Sequence, residues 1–221
     1  MDKFGIIDLL GILIRENDMG IFREMFGPSK KEIWNELSSN LNAEFEEGGF
    51  FGKDRVIAHI KEWTITLDTY TVSTGKSSTT YTRLRAPYVN KDGFCFKIYR
   101  AGIFSEVGKF LGMKDIEVGF PEFDQAFVIK GNEEDKIKSL FSNTNIRSLI
   151  ELQPHFHMEV KDDEGWFGVE FPNGVDELCF KVVGVIKDIE RLKALFDLFG
   201  EVLDYLCIIG SAYEDNPRVE L

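Results

Sequence analysis

The sequence predicts an α+β fold, in which antiparallel β-sheet built from hairpins and a meander packs against a few helices, including a long C-terminal amphipathic helix. Three observations carry this. Trp63, Ile65 and Leu67 alternate with Thr64, Thr66 and Asp68 and run into the turn Thr74-Gly75-Lys76-Ser77, a period of two followed by a hairpin signal. Ile189, Leu192, Phe196, Phe199, Leu203 and Leu206 step by three and four, and Leu195, Leu198 and Val202 widen the stripe. Strands come in adjacent runs with helices set apart, the order expected of α+β rather than of a parallel sheet.

Taken in order, Ile6 to Ile14 is apolar apart from Asp8 and Gly11 and reads as a helix or strand over the core; a membrane-lying segment is the alternative, against which its acidic flanks argue. Phe22 to Phe26 is a second short apolar piece. Ser29 followed by Glu32 is a capping box, and the helix from Lys30 to Leu41 buries Ile33, Trp34, Leu37 and Leu41. Strands follow at Arg55–Ile60, Glu62–Ser73 and Ser78–Leu84, with the last two antiparallel across the turn. Pro87 marks a sheet edge or an exit, Asn90-Lys91-Asp92-Gly93 is a turn, and Phe94, Phe96 and Ile98 alternate with Cys95, Lys97 and Tyr99. Phe104 to Leu111 reads as a short helix ended by Gly112.

The central stretch gives a strand at Ala126–Ile129, then a helix burying Ile137, Leu140 and Phe141, with Asn132 as its N-cap and Asp135 near a capping-box position. Ser142-Asn143-Thr144-Asn145 breaks it, and Ile146, Leu149 and Ile150 start another. A meander begins at Pro154, with Phe156, Met158 and Val160 inward and His155, His157 and Glu159 on the other face. Strands Trp166–Phe171 and Leu178–Val185 follow, Asp188 caps the last helix, and Gly200 inside it implies close packing. The tail after Gly210 reads as polar and loose. One domain over residues 1–221 is expected, with two intimately packed halves, about 1–112 and 113–221, as the alternative.

Twenty Phe in 221 residues suggest a core of large rings. The net charge of -12 opposes nonspecific nucleic-acid binding and anionic membranes, both of which require excess Lys and Arg, so neither partner is expected. A basic protein partner fits. Cys95, Cys179 and Cys207 form no CxxC or zinc pattern and read as buried thiols of a reducing compartment. No run approaches a membrane span and the first residues make no signal peptide, so a cytoplasmic protein is expected.

Candidate chemistry is sparse. GKS at Gly75-Lys76-Ser77 ends no phosphate loop, because Tyr70 stands where that loop needs glycine and strands flank it. His155, His157 and Glu159 share a strand face and are the metal candidate, with His59 a possible fourth only if the fold brings it near; the alternative is an exposed strand face. Arg83 and Arg85, two apart on one face, are the anion-binding candidate, and the alternative is an edge strand with its cations in solvent. The acids Asp124, Glu133, Glu134 and Asp135 suit a helix start better than a cation site. Acid pairs from Asp68, Asp115, Glu117, Asp124 or Asp176 are not distinguished from the other carboxylates, no GxSxG is present, and no cofactor is predicted.

Five phrases together, FGPSKKEIW, WTITLDTY, TRLRAPYVNKDGFCFKIYR, DIEVGFPEFDQAFVIKGNEEDKIKSLF and GVIKDIERLKALFDLF, resemble a family of uncharacterised bacterial proteins with an FDxxFxVKGNDExKxxxLF-type core. The resemblance spans most of residues 22–212, with Glu133 where the pattern has Asp. It implies a bacterial cytoplasmic origin and brings no activity or catalytic residue. Because functional groups are scattered and the strong motifs of well-known enzyme classes are missing, a noncatalytic intracellular domain that binds a protein or small molecule is the expected function. The alternatives are an enzyme, metal-dependent through His155, His157 and Glu159, and an acidic inhibitor or immunity-type protein for a basic partner.

Overall fold

A computed structural model describes residues 27–48, 53–102, 115–162, 171–219 and 221. The segments Ile6–Ile14, Phe22–Phe26 and Phe104–Leu111, and the strand Trp166–Phe171 except its last residue, lie outside the described residues. Described are α1 (Lys30–Leu41), β1 (Glu44–Glu46), β2 (Arg55–Ile60), β3 (Trp63–Ser73), β4 (Ser78–Asn90), β5 (Phe96–Arg100), α2 (Pro121–Ala126), β6 (Phe127–Gly131), α3 (Glu134–Ser142), α4 (Thr144–Glu151), β7 (His157–Lys161), β8 (Val175–Val183), α5 (Ile189–Ile208) and β9 (Ala212–Tyr213). The α+β class and the antiparallel sheet are as the sequence predicts.

The nine described strands form one sheet in the order β1-β2-β3-β4-β8-β7-β5-β6, with β9 on β4. Every pairing is antiparallel. The first four strands meander in sequence. The chain then leaves two places open, lays down β5 and β6, and fills the gap with β7 and β8.

Alternation sends Ile65, Leu67, Leu84, Phe180, Met158 and Ile98 to one face, where they join Trp34, Phe141, Phe196 and Phe199 of the helices in one core. Its centre is a series of phenylalanine rings. Phe96 meets Phe141 edge-on at 5.8 Å, Phe123 lies 4.7 Å from Phe127, and Phe156 stacks on Phe180 at 5.4 Å. Helix α1 starts at the predicted box: Ser29 N–H donates to Glu32 Oε2 at 2.7 Å and Glu32 N–H to Ser29 Oγ at 3.2 Å. In α5, a Cβ on Gly200 would meet Ile60 Cγ2 at 3.3 Å, which is the close packing expected there.

Four local expectations are corrected. Pro87 is neither edge nor exit, since β4 runs to Asn90 and pairs with β8 past the proline. The β3–β4 ladder stops at Thr66↔Arg85, and β9 takes up that side at Val89 and Asn90, so the missing N–H falls in a gap between two partners. Asn132 does not cap α3. Its Oδ1 accepts from Cys95 N–H at 3.0 Å and its Nδ2 donates to Gly93 O at 2.7 Å, fastening β6 to the entry of β5, while Glu133 takes the cap position. Ala126 ends a helical turn, α2, and the strand begins at Phe127. The tail is not loose at its start: Ser211 and Ala212 are buried, and β9 joins the sheet.

Candidate functional site

The sheet face away from the core carries Arg83 and Arg85 and, of the predicted metal ligands, His157 and Glu159. One row across it reads Thr66, Arg85, Cys179, Glu159, Lys97 and Lys130; the next reads Asp68, Arg83, Lys181, His157, Tyr99 and Val128. Antiparallel register places these side chains beside one another, although they come from six strands. Thr66, Asp68, Arg85, Lys97 and Cys179 are buried.

Arg83 and Arg85 lie on a strand inside the sheet, which corrects the edge-strand alternative. Arg83 forks onto Asp68, Nε to Oδ1 at 2.9 Å and Nη2 to Oδ2 at 2.8 Å, and Arg85 Nη2 donates to Oδ2 at 2.6 Å. Burial raises the Asp68 pKa, but the Arg83 hydrogen bond and the charges of Arg85 and Arg83 outweigh it and hold the carboxyl below its ordinary value. Both arginines thus already hold a carboxylate of this chain.

His157 and Glu159 come together, with Nε2 3.1 Å from Oε2. Burial pulls the His157 pKa down further than Glu159 restores it, and Lys181 and Lys97 add to the fall. Burial works the other way on Glu159, but the His157 hydrogen bond and the charges of His157, Lys181 and Lys97 lower it to about 2. The pair is a neutral imidazole beside a carboxylate at neutral pH. His155 is not with them, because β7 begins only at His157 and His155 lies exposed in the turn before it. His59, on β2, bonds Thr64 Oγ1 through Nδ1 at 3.1 Å, four strand positions from β7. Among the described residues, no three His, Cys, Asp or Glu side chains are placed to hold a metal ion.

The remaining reactive groups of the face are quiet. Burial pushes the Cys179 thiol up to about 12, leaving no thiolate near neutrality. Glu177, fully buried, is answered by Lys161 Nζ at 3.0 Å. Away from this face, Asp124 accepts the backbone N–H groups of Val118, Gly119 and Phe120 and is spent on shaping the start of α2.

His155 belongs instead to a cleft of about 870 Å3 between the end of β5, the turn after α4 and the first turns of α5. Its cationic wall is Arg100 and Arg191; Leu152, Pro154 and Ala194 supply apolar surface. Gln153, fully buried, holds both arginines from behind. Arg100 Nη2 donates to its backbone O at 3.2 Å, and Arg191 Nε donates to its Oε1 at 2.9 Å. The Arg100 guanidinium also lies 4.8 Å over the Phe127 ring. Burial lowers the pKa of Arg191, with Asp188 opposing. Asp188 is the α5 N-cap, accepting Arg191 N–H at 3.0 Å, Glu190 accepts from Lys193 at 2.9 Å, and Glu151 completes the acidic part of the lining.

Sequence reasoning missed this cleft. Arg100, Gln153 and Arg191 stand apart in the sequence with no common motif, and of the candidate site residues only His155 lines the cleft, where the sequence groups it with His157 and Glu159 instead.

Neither family models nor curated proteins match the sequence. Among solved structures, the chain is similar to the crystal structure of the mycobacterial trehalose monomycolate transport factor A, TtfA, with a TM-score of 0.48 and 8% identity over 80% of this chain and 94% of that one. That likeness is too distant to speak for fold or function. Among the described residues, no helix is long and apolar enough to cross a membrane.

Proposed function

We propose that this protein is a noncatalytic intracellular binding domain and that its ligand seats in the cleft between Arg100 and Arg191. The observation that carries the reading is a concavity of about 870 Å3 walled by two guanidiniums that are fastened to the backbone and side-chain oxygens of one buried residue, Gln153. That volume lies in the range of small-molecule sites, which combine apolar walls with a few placed polar groups. The sheet face supports the noncatalytic part. Its acids are paired, and the Cys179 thiol is inert at about 12, whereas an acid, base or nucleophile needs a pKa matched to its task.

Ala194 lines the cleft, and Ala194→Trp would fill it with an indole. A neutral fluorinated fragment library, screened by 19F NMR, should give hits whose backbone shift changes map to residues 151–155 and 188–194. Those hits should vanish in Ala194→Trp protein with an unchanged circular dichroism spectrum. Fragment binding that the tryptophan leaves intact, or wild-type protein without hits in the cleft, would sink the proposal.

A further inference from the structure

Resting on the cleft as the ligand seat, we infer that the Arg100–Arg191 pair receives a carboxylate carried on an apolar body. A guanidinium presents five N–H donors in a planar fork that matches a carboxylate. Among the described residues, the Arg100 side chain gives one hydrogen bond, to Gln153 O, and the Arg191 side chain gives one, to Gln153 Oε1. Both acceptors are neutral atoms of a single residue. Among the described residues, neither arginine is in an ion pair with a carboxylate.

This differs from the rest of the chain in a telling way. The chain has 38 acidic residues against 26 basic ones, so counter-charges are in excess. On the sheet face that excess is used: Asp68 answers Arg83 and Arg85, and Glu177 answers Lys161. At the cleft none of the three lining acids makes an ion pair with either arginine: Asp188 caps α5 through Arg191 N–H and acts on that side chain by its charge alone, Glu190 pairs with Lys193, and Glu151 stands exposed at the rim where water screens it. Gln153 holds the two guanidiniums side by side through its backbone and side-chain oxygens, and burial of Arg191 adds to the gain from an arriving anion.

The walls narrow the ligand further. Leu152, exposed, lines the cleft with Pro154 and Ala194 beside the guanidiniums, so a ligand with an apolar portion gains surface burial that a bare ion does not. The fork favours a planar carboxylate over a point-like anion.

Benzoate is a suitable probe, with acetate, inorganic phosphate and benzylamine for comparison. The expected result, followed by 15N NMR of arginine Nε–Hε groups, is saturable shifts at Arg100 and Arg191 on adding benzoate. Acetate should bind more weakly and benzylamine should leave both signals in place. Arg191→Gln, a partly exposed position, should weaken benzoate by tenfold or more, and Arg191→Lys by less, since it keeps the charge and loses the fork. Benzoate that shifts neither arginine, phosphate that binds while benzoate does not, benzylamine that shifts both, or Arg191→Gln protein binding benzoate like wild type would each overturn the inference. Neutral fragments lost from Ala194→Trp but no benzoate binding would refute this ligand class while leaving the cleft as the site. Fragments unaffected by Ala194→Trp would remove the cleft itself.

Discussion

Removing the Asp68 carboxylate should be among the most damaging single changes to stability on the polar sheet face. Asp68→Ala deletes the acceptor of three charge-assisted hydrogen bonds, at 2.9, 2.8 and 2.6 Å, and leaves Arg83 and Arg85 without that counter-charge. Breaking a buried ion pair from one side costs about 3–5 kcal/mol. The lower end applies, because the Arg83 side chain keeps 20% of its exposure and regains water, while Arg85 keeps 5% and does not. Urea unfolding at pH 7 should therefore show a loss of about 3 kcal/mol at an unchanged m-value. The pH dependence provides a second check. The folded pKa of Asp68 lies below its unfolded value of about 3.9, so its contribution is complete above that value and disappears as pH falls through the folded pKa. The gap between wild type and variant should hold from pH 7 to about 5 and close below about 4. A loss under about 1 kcal/mol at pH 7 would place the cluster with solvent-exposed ion pairs and refute the reasoning.

Other positions give simpler tests. Gly131→Ala would place a Cβ 2.3 Å from Ile137 Cδ1 and 2.7 Å from the Cys95 carbonyl oxygen; the side chain can move but the backbone oxygen cannot, so a loss of about 1–3 kcal/mol in urea unfolding is expected. Ser29→Ala removes half of the α1 capping box and should cost about 1 kcal/mol, with Ser29→Asp close to neutral in the same assay. Cys179, buried and pushed up to about 12, should resist iodoacetamide at pH 8 in native protein and react once the chain is unfolded in urea, as read by mass spectrometry.

What could be read from the sequence follows from the range over which each signal acts. Caps and periodicity act over a few residues, and so the α1 box, the β3–β4 hairpin and the stripe of α5 were legible. Asn132 shows the weakness of the same logic: its side chain had a local N–H to accept from, but its two bonds to Gly93 and Cys95 fasten β6 to the entry of β5 instead. The Asp68–Arg83 pair was within reach, because a turn that sets Ser73 opposite Ser78 fixes Asp68 opposite Arg83 by counting back along both strands. The order of β5 to β8 was not, since alternation says which face a residue takes and nothing about which strand lies beside it. His157 with Glu159 followed from period two alone, whereas His155 fell away because β7 starts one residue after Phe156.

The two arginine pairs differ in what an incoming ligand would have to displace. An anion approaching Arg83 or Arg85 competes with Asp68, already held at 2.6–2.9 Å, and would leave that carboxylate buried without its fork. An anion approaching Arg100 and Arg191 displaces no carboxylate, because the atoms fastening them are Gln153 O and Oε1. Charge density alone would favour the sheet face as the binding site. The cost of exchange favours the cleft, and it makes Gln153 a positioning residue: fully buried and neutral, it holds two like charges together without cancelling either.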